Sequence, residues 1–310
     1  MTSKKRLFAF IGEKKAALSL FIFITFTILL LIYGNAVKES IIFGIKLSVL
    51  SVIPSIFPFF ILSDFLSAYY TADEGLFSRA FEKFFCISKK ALGAFIIGSL
   101  CGFPLGVKCA TELYLGGEIT KDECERLCSF TNNPSLAFVV SGVGLGMMGS
   151  LKDGILLYFT VLLSSVITGF LIRNKGEKIS FTKENSRQTF SLALSIKNSA
   201  YSSLTISSYI IFFSAVIGII SRVFSSELFT LFSSSFFEVG NASSLISGCD
   251  MLSRRQKFSL LSFALSFSGL SVFMQSISFL PPEISKKRLL ILKLMQGLIS
   301  LLISLLIYGI

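Results

Sequence analysis

In each half of this chain two apolar stretches are interrupted, the first by a glycine-bearing turn and the next by a polar one, and the order recurs. The first pair is Cys101-Gly-Phe-Pro-Leu-Gly-Val-Lys108 followed by Ser129-Phe-Thr-Asn-Asn-Pro-Ser135. The second is Phe236-Phe-Glu-Val-Gly-Asn241 followed by Ser262-Phe-Ala-Leu-Ser-Phe-Ser-Gly269. Lipid offers no partner for a freed N–H or C=O, so backbone opened at membrane depth survives only where protein or a wet cavity surrounds it. A matched pair of such breaks in two halves is the pattern of a transporter whose substrate site lies between repeats.

That argument requires a bilayer, and the composition supplies the reason for one. Of 310 residues 53% are apolar and 15% charged, with a mean hydropathy of +0.76. Charge-free runs recur at Ala16–Val37, Ala91–Val107, Leu127–Leu151, Gly154–Ile172, Asn198–Ser221, Val239–Cys249 and Phe258–Pro282. Several reach the roughly 20 residues that carry a helix across the hydrocarbon core. The chain therefore reads as an all-α polytopic membrane protein, with the lipid bilayer as its first partner.

A net charge of +11 raises the question of nucleic acid. The lysines and arginines lie in short connections between apolar segments, which is the distribution of the positive-inside rule, and no nucleic-acid partner is expected. The basic N-terminus before Ala16 imitates a secretory signal but lacks a small-residue cleavage site, so a retained first helix is expected. The six cysteines sit in or near apolar stretches and read as small buried hydrophobes. Cys124 and Cys128 share a helix face, but the chain has no histidine, and no metal site is expected.

Residues 1–40 read as an N-terminal transmembrane helix, 41–172 as a first repeat, 173–197 as a basic cytoplasmic linker and 198–310 as a second repeat. In the first repeat a span at Ile41–Ser63, kinked by Pro54 and Pro58, precedes a broken hairpin at Ala91–Gly117, a broken span at Leu127–Met148 and an unbroken span at Gly154–Ile172. Their counterparts are Asn198–Ser221, Leu228–Cys249, Phe258–Leu280 and Leu289–Ile310. A re-entrant hairpin does not change sides, so each repeat crosses three times and the second copy is inverted. With the N-terminus cytoplasmic, Arg79–Lys90, the linker's Arg173, Lys175, Lys178, Lys183 and Arg187, and Lys286–Arg288 fall inside, whereas Arg254, Arg255 and Lys257 fall outside, against the rule.

The chemistry concentrates at the breaks. Gly102, Pro104 and Gly106 permit a turn inside the membrane, with tight packing by small residues as the plainer alternative. Lys108 follows directly, a cation at the edge of an apolar segment that would attract an anion or else snorkel to the interface. Asn132, Asn133 and Ser135 stand in a charge-free stretch, where burying an unpaired amide costs about 2–7 kcal/mol, so substrate or interhelical hydrogen bonds must occupy them. Glu238, three residues before Asn241, offers a carboxylate for a coupling Na+ or H+. Ser266, Ser268 and Gln275 add hydroxyl and amide groups in the second broken span. Thr120-Lys-Asp-Glu123 has the form of a capping box.

The four motifs around Gly102–Lys108, Leu127–Ser135, Phe236–Asn241 and Ser266–Gln275 resemble those of the YlbJ-type sporulation integral membrane proteins, which carry the nucleoside-recognition "Gate" domain. The resemblance covers roughly Ile41 to Leu280. It implies an architecture similar to concentrative nucleoside transporters, a place in endospore formation, and movement of dipicolinic acid across the outer forespore membrane. By position it implies that Gly102, Phe103, Pro104, Gly106, Asn132–Ser135, Glu238, Asn241, Ser266 and Ser268 line the site. At Phe273 the family pattern expects a polar residue, often histidine, so no ligand role carries over there.

The expectation is a transporter of a small anionic metabolite working by alternating access between the two repeats, not an enzyme and without a resident cofactor. Lys108 would attract the anion and Phe103 would face its ring. A nucleoside or other small-metabolite transporter is the nearest alternative, and homo-oligomerisation stays open. A membrane-embedded transferase would want clustered carboxylates for Mg²⁺, whereas Asp64, Asp73, Asp122, Asp153 and Asp250 are scattered. A sporulation scaffold would need no paired breaks.

Overall fold

The computed structural model describes residues 3–69, 75–174, 190–224 and 226–307, and every regular element among them is helical. Asp73 and most of the linker expected at 173–197 lie outside the described residues. In the first half the chain runs α1 (Ser3–Ile32), α2 (Gly34–Leu47), a π-helical turn (Ser48–Val52), α3 (Ile53–Tyr69), α4 (Leu76–Phe85), α5 (Leu92–Leu100), α6 (Leu105–Leu115), α7 (Lys121–Thr131), a π-helical stretch (Phe138–Met147) and α8 (Leu151–Leu171). In the second it runs α9 (Leu192–Val223), α10 (Glu227–Phe237), α11 (Val239–Gly248), α12 (Arg254–Phe267), α13 (Gly269–Ile277) and α14 (Lys286–Ile307).

Similar helix types follow one another in the two halves. A first span (α2–α3, then α9) precedes a hairpin of half-helices (α5/α6, then α10/α11), a broken span (α7 with the π-helical stretch, then α12/α13) and an unbroken helix (α8, then α14). Among the described residues α8, α9, α12 with α13, and α14 are each long and apolar enough to cross a bilayer, and the bent pair α1–α2 makes a fifth if it counts as one span. The chain is an all-α polytopic membrane protein.

One boundary moves. The first helix does not run to residue 40: the chain bends by 98° at Tyr33, and α2 begins at Gly34, a weak helix former, while Lys38, Glu39 and Ser40 stay helical. The kink expected from Pro54 and Pro58 takes a specific form. A proline removes one helical donor and crowds the carbonyl four residues back, and the wider π-helical turn at Ser48–Val52 lies directly ahead of both. Lys46 points outward, as a snorkelling residue does.

The packing does not separate the two halves. The first spans lie together, α2 and α3 against α9, with α1 on their outer side showing Phe21, Phe23, Leu31 and Ile32 to the surroundings. The remaining helices interlock: α7 packs on α14, α8 packs on α12, and α8 meets α14. The two hairpins clasp this inner bundle, α6 on α7 and α11 on α12. One apolar cluster fills the space around Phe85, Leu105, Leu127 and Phe130, and a second that around Val139, Leu157, Ile246 and Leu261.

Candidate functional site

Both hairpin tips rest on the breaks beside them. Gly102, at φ 90°, turns the chain between α5 and α6, and a Cβ there would lie 2.5 Å from the backbone nitrogen of Ser135. Asn132 leaves the helical region at φ −82°, ψ 72°, and Pro134 bars the helix from continuing. Ser135 Oγ then accepts from the Phe138 N–H at 3.2 Å, restarting the turn. In the second half Glu238 is extended between α10 and α11, and Ser268 at φ 71° and Gly269 at φ 77° divide α12 from α13. A Cβ on Gly269 would lie 3.1 Å from the carbonyl group of Phe237, so this break also sits against its tip.

Beside both tips and the first break lies a cavity of about 50 Å³, room for a few water molecules. Cys101, Gly102 and Phe103 of the first tip border it, with Ser135 and Phe138 of the first break. From the other half come Glu238, Val239 and Gly240, with Val272 and Gln275 of α13. Leu47, Val52 and Ile56 of the first span and Ile206 and Ile210 of α9 close the remaining wall. Of the residues expected at the site, Gly102, Phe103, Ser135, Glu238 and Gln275 thus meet at one cavity drawn from both halves.

Glu238 is buried and caps α11. Its Oε1 accepts from the Gly240 N–H at 2.9 Å, and its Oε2 accepts from the Asn241 N–H at 2.6 Å and from Asn241 Nδ2 at 2.7 Å. A carboxylate at the positive end of a helix is well placed electrostatically. Asn241 also donates to Ser214 Oγ of α9 at 2.9 Å, tying the tip to the first-span wall. Gln275 Nε2 donates to Ser271 Oγ at 3.2 Å, and its Oε1 is buried without a protein partner.

Asn132 and Asn133 lie one layer behind the cavity, in a chain of hydrogen bonds that crosses between the halves. Asn132 Nδ2 donates to Ser276 Oγ of α13 at 2.9 Å, and the Asn132 carbonyl accepts from Lys293 Nζ of α14 at 2.6 Å. Lys293 donates also to Gln296 Oε1 at 2.7 Å, Gln296 Nε2 donates to Asn133 Oδ1 at 2.8 Å, and Asn133 Nδ2 donates to the Phe130 carbonyl and to Ser165 Oγ of α8. Interhelical bonding therefore occupies the Asn133 amide and the Asn132 Nδ2 and backbone carbonyl, while Asn132 Oδ1 has no protein partner. Lys293 and Gln296 are not among the residues expected from sequence, although a single lysine four positions into the apolar run from Leu289, with a glutamine one turn on, is a readable signal.

The other expected residues stand apart from the cavity wall. Lys108 pairs with Asp64 of α3, which also accepts from Ser195 Oγ of α9 at 2.7 Å, and it lies 3.7 Å from Glu112. Its charge ties the first hairpin to the first spans. Gly106 lies where an added Cβ would be 2.3 Å from the Thr131 carbonyl, the tight-packing alternative, and Pro104 precedes α6. Ser266 Oγ is 3.4 Å from Ser164 Oγ, and Ser268 Oγ donates to the Leu265 carbonyl at 3.0 Å. Phe273 packs on an apolar cluster.

Charges at the helix starts hold the bundle at its ends. Arg126, fully buried, donates to the Phe85 and Cys86 carbonyls at 3.0 Å and to Asp122 at 2.8 Å, while Arg288 bridges Asp122 and Glu125. The capping box is formed, with Glu123 accepting also from the Ser88 N–H. The Phe85–Lys90 connection and Lys286–Arg288 thus share one end of the molecule. Arg254, the exception to that rule, is answered by Asp153 at 2.6 Å.

No family model matches this chain, and no solved structure matches it. A curated relative does: the sporulation integral membrane protein YlbJ of Bacillus subtilis (strain 168) is 28% identical over an alignment of 337 positions, covering 94% of this chain and 81% of the relative. That similarity to a sporulation integral membrane protein runs over nearly the whole chain and agrees with the four motifs and the all-helical membrane fold already in view.

Proposed function

We propose that this protein is a transporter of a small anionic heteroaromatic metabolite during sporulation, dipicolinic acid being the solute the family resemblance implies, carried across the outer forespore membrane. One observation carries the reading: three half-helices, contributed by both halves, begin at the wall of a single cavity. The start of α6 lies just past Gly102 and Phe103, the π-helical stretch follows Ser135, and α11 opens at Glu238. Helix starts present partial positive charge and free N–H groups, and transporters hold anionic substrates with them. Phe103 offers a ring face, and Ser135 and Gln275 offer hydrogen bonds. The attraction expected of Lys108 falls to these helix starts, since Lys108 is paired with Asp64.

Glu238 is buried and is the one carboxylate of the wall, which suits it to carry a coupling H+. A cavity of about 50 Å³ is too small for a dicarboxylated ring, so the cycle requires α2–α3 and α9 to move away from the hairpins and breaks. Alternating access then runs between the first spans and the interlocked remainder, in an architecture like that of the Gate-domain transporters. A neutral nucleoside is the second reading, favoured by Glu238 as the one charged residue of the wall.

Uptake of radiolabelled dipicolinate into vesicles holding the purified protein tests this. The wild type should exceed empty vesicles, Gln275→Ala should lower the rate at least about tenfold through loss of a substrate hydrogen bond, and excess nucleoside should not compete. Absence of uptake by the wild type overturns the reading, and competition by nucleoside replaces it with the second.

A further inference from the structure

Where α7 breaks, the carbonyl of Asn132 loses its helical donor, and at membrane depth it must find another. The donor is a lysine from the opposite half. Lys293 Nζ stands 2.6 Å from that carbonyl and 2.7 Å from Gln296 Oε1, and Asn132 Oδ1 is buried with no partner. The Lys293 side chain is 3% exposed. Among the described residues no carboxylate pairs with it: Asp122 and Glu125 hold Arg288, Asp153 holds Arg254, and Asp64 holds Lys108.

The Lys293 amine is therefore held by two neutral oxygen atoms, a backbone carbonyl released by a helix break and the side-chain amide oxygen of Gln296. Unwound carbonyls of broken membrane helices are the groups that coordinate small monovalent cations. Gln296 is fixed for this task, since its Nε2 is committed to Asn133 Oδ1 and its Oε1 can only face the cation.

We propose that Lys293 is a tethered cation: its ammonium fills a monovalent-cation site at the break of α7, so that the native protein takes up no free ion there, and shortening the side chain opens the site to a small cation such as Na+ or methylammonium. The proposal concerns the break alone and holds whether or not the protein transports dipicolinate.

Thermal unfolding of the purified full-length protein in NaCl, methylammonium chloride or choline chloride at equal ionic strength tests it. The wild type should melt at the same temperature in all three. Lys293→Ala should melt roughly 5 °C or more lower in choline, and Na+ or methylammonium should restore at least half of the loss with saturation. Lys293→Met, which removes the charge but fills the space, should stay low in every salt. Saturable stabilisation of the wild type by Na+, rescue of Lys293→Met to the same degree, or equal behaviour of Lys293→Ala in choline and Na+ overturns the proposal. Should Lys293→Ala fail to fold, the wild-type titration decides: a flat response sustains the proposal and a saturable one ends it.

Discussion

The two broken spans undergo the same backbone event and resolve it differently. At the break of α7 two local bonds, from the Asn133 N–H to the Thr131 carbonyl and from Asn133 Nδ2 to the Phe130 carbonyl, are joined by partners from far away in sequence, Ser276, Lys293 and Gln296 of the other half and Ser165 of α8. At the break of α12 the partners are local: the Ser268 N–H donates to the Ala264 carbonyl at 2.8 Å, its Oγ donates to Leu265, and two left-handed residues close the turn. A break satisfied across elements fixes the placement of everything it touches, whereas one satisfied within its own turn leaves its neighbours free. The first break is thus the anchor of the inner bundle and the second the looser joint.

The strongest way to break this contrast is to force the anchor apart. In Gly106→Ala the new methyl would meet the Thr131 carbonyl, a backbone atom that cannot rotate away, and Gly98 presses on the same carbonyl from α5. Loss of about 3 kcal/mol or more is expected, visible as failure to purify as a monodisperse species or as a large fall in melting temperature. Next comes Gln296→Leu, which strips Lys293 of one acceptor and leaves Asn133 Oδ1 buried without a donor; an effect of about 2 kcal/mol is expected in the same measurement. The matching test at the second break is Gly269→Ala. Here the clash is milder, at 3.1 Å, and the cost is mainly that of φ 77° for a residue with a side chain, about 1–2 kcal/mol. If Gly269→Ala costs more than Gly106→Ala, the assignment of anchor and joint is reversed.

The contrast also accounts for what the amino-acid order revealed and what it hid. The breaks themselves were legible, because glycine, proline and paired amides gather in charge-free runs chiefly where a membrane helix opens. Ser135, Glu238 and Gln275, which border the cavity, stand out in the sequence because each is polar inside such a run. The partners of Asn132 were not, since nothing local states which of the remaining helices will face a break, and Lys293 stands within an unbroken span. Lys108 misled for the complementary reason: the carboxylate that answers it, Asp64, lies 44 residues away on α3, where it read as one of several scattered acids.

A further effect sharpens the contrast at the ends of the same helices. Asp122 starts α7 and meets Arg288 at the start of α14. Burial works against its charged form, but the hydrogen bond from Arg288 and the charge and hydrogen bond of Arg126 outweigh it and hold the carboxyl below its ordinary value. A depressed carboxylate contributes stability above its unfolded value, and that contribution is lost as pH falls through the folded one. With side chains 36% and 41% exposed the pair with Asp122 is screened, but Arg288→Met also strips the buried Glu125 of its cation, so it should cost about 1–2 kcal/mol near neutral pH and flatten the acid decline in melting temperature below about pH 4. An acid decline as steep as that of the wild type would detach this pair from the anchor.

The smallest effect belongs to Ser266, and its smallness is what the looser joint demands. Its hydroxyl is fully buried against α8, the helix that stands to α12 as α14 stands to α7, so it occupies the place where a cross-element clamp would lie if the two breaks were alike. Yet its contact is one hydroxyl at 3.4 Å, and Ser164 has a shorter bond of 2.8 Å to the Val161 carbonyl. Ser266→Ala removes a long, neutral hydrogen bond and strands no partner, so the change should stay within about 0.5 kcal/mol, whereas Gln296→Leu costs several times more. A double mutant with Ser164→Ala supplies the sharper reading. Additive single effects leave the second break without a clamp, but a coupling energy above about 1 kcal/mol would mean that α8 holds α12 as firmly as α14 holds α7, and the joint would then be a second anchor.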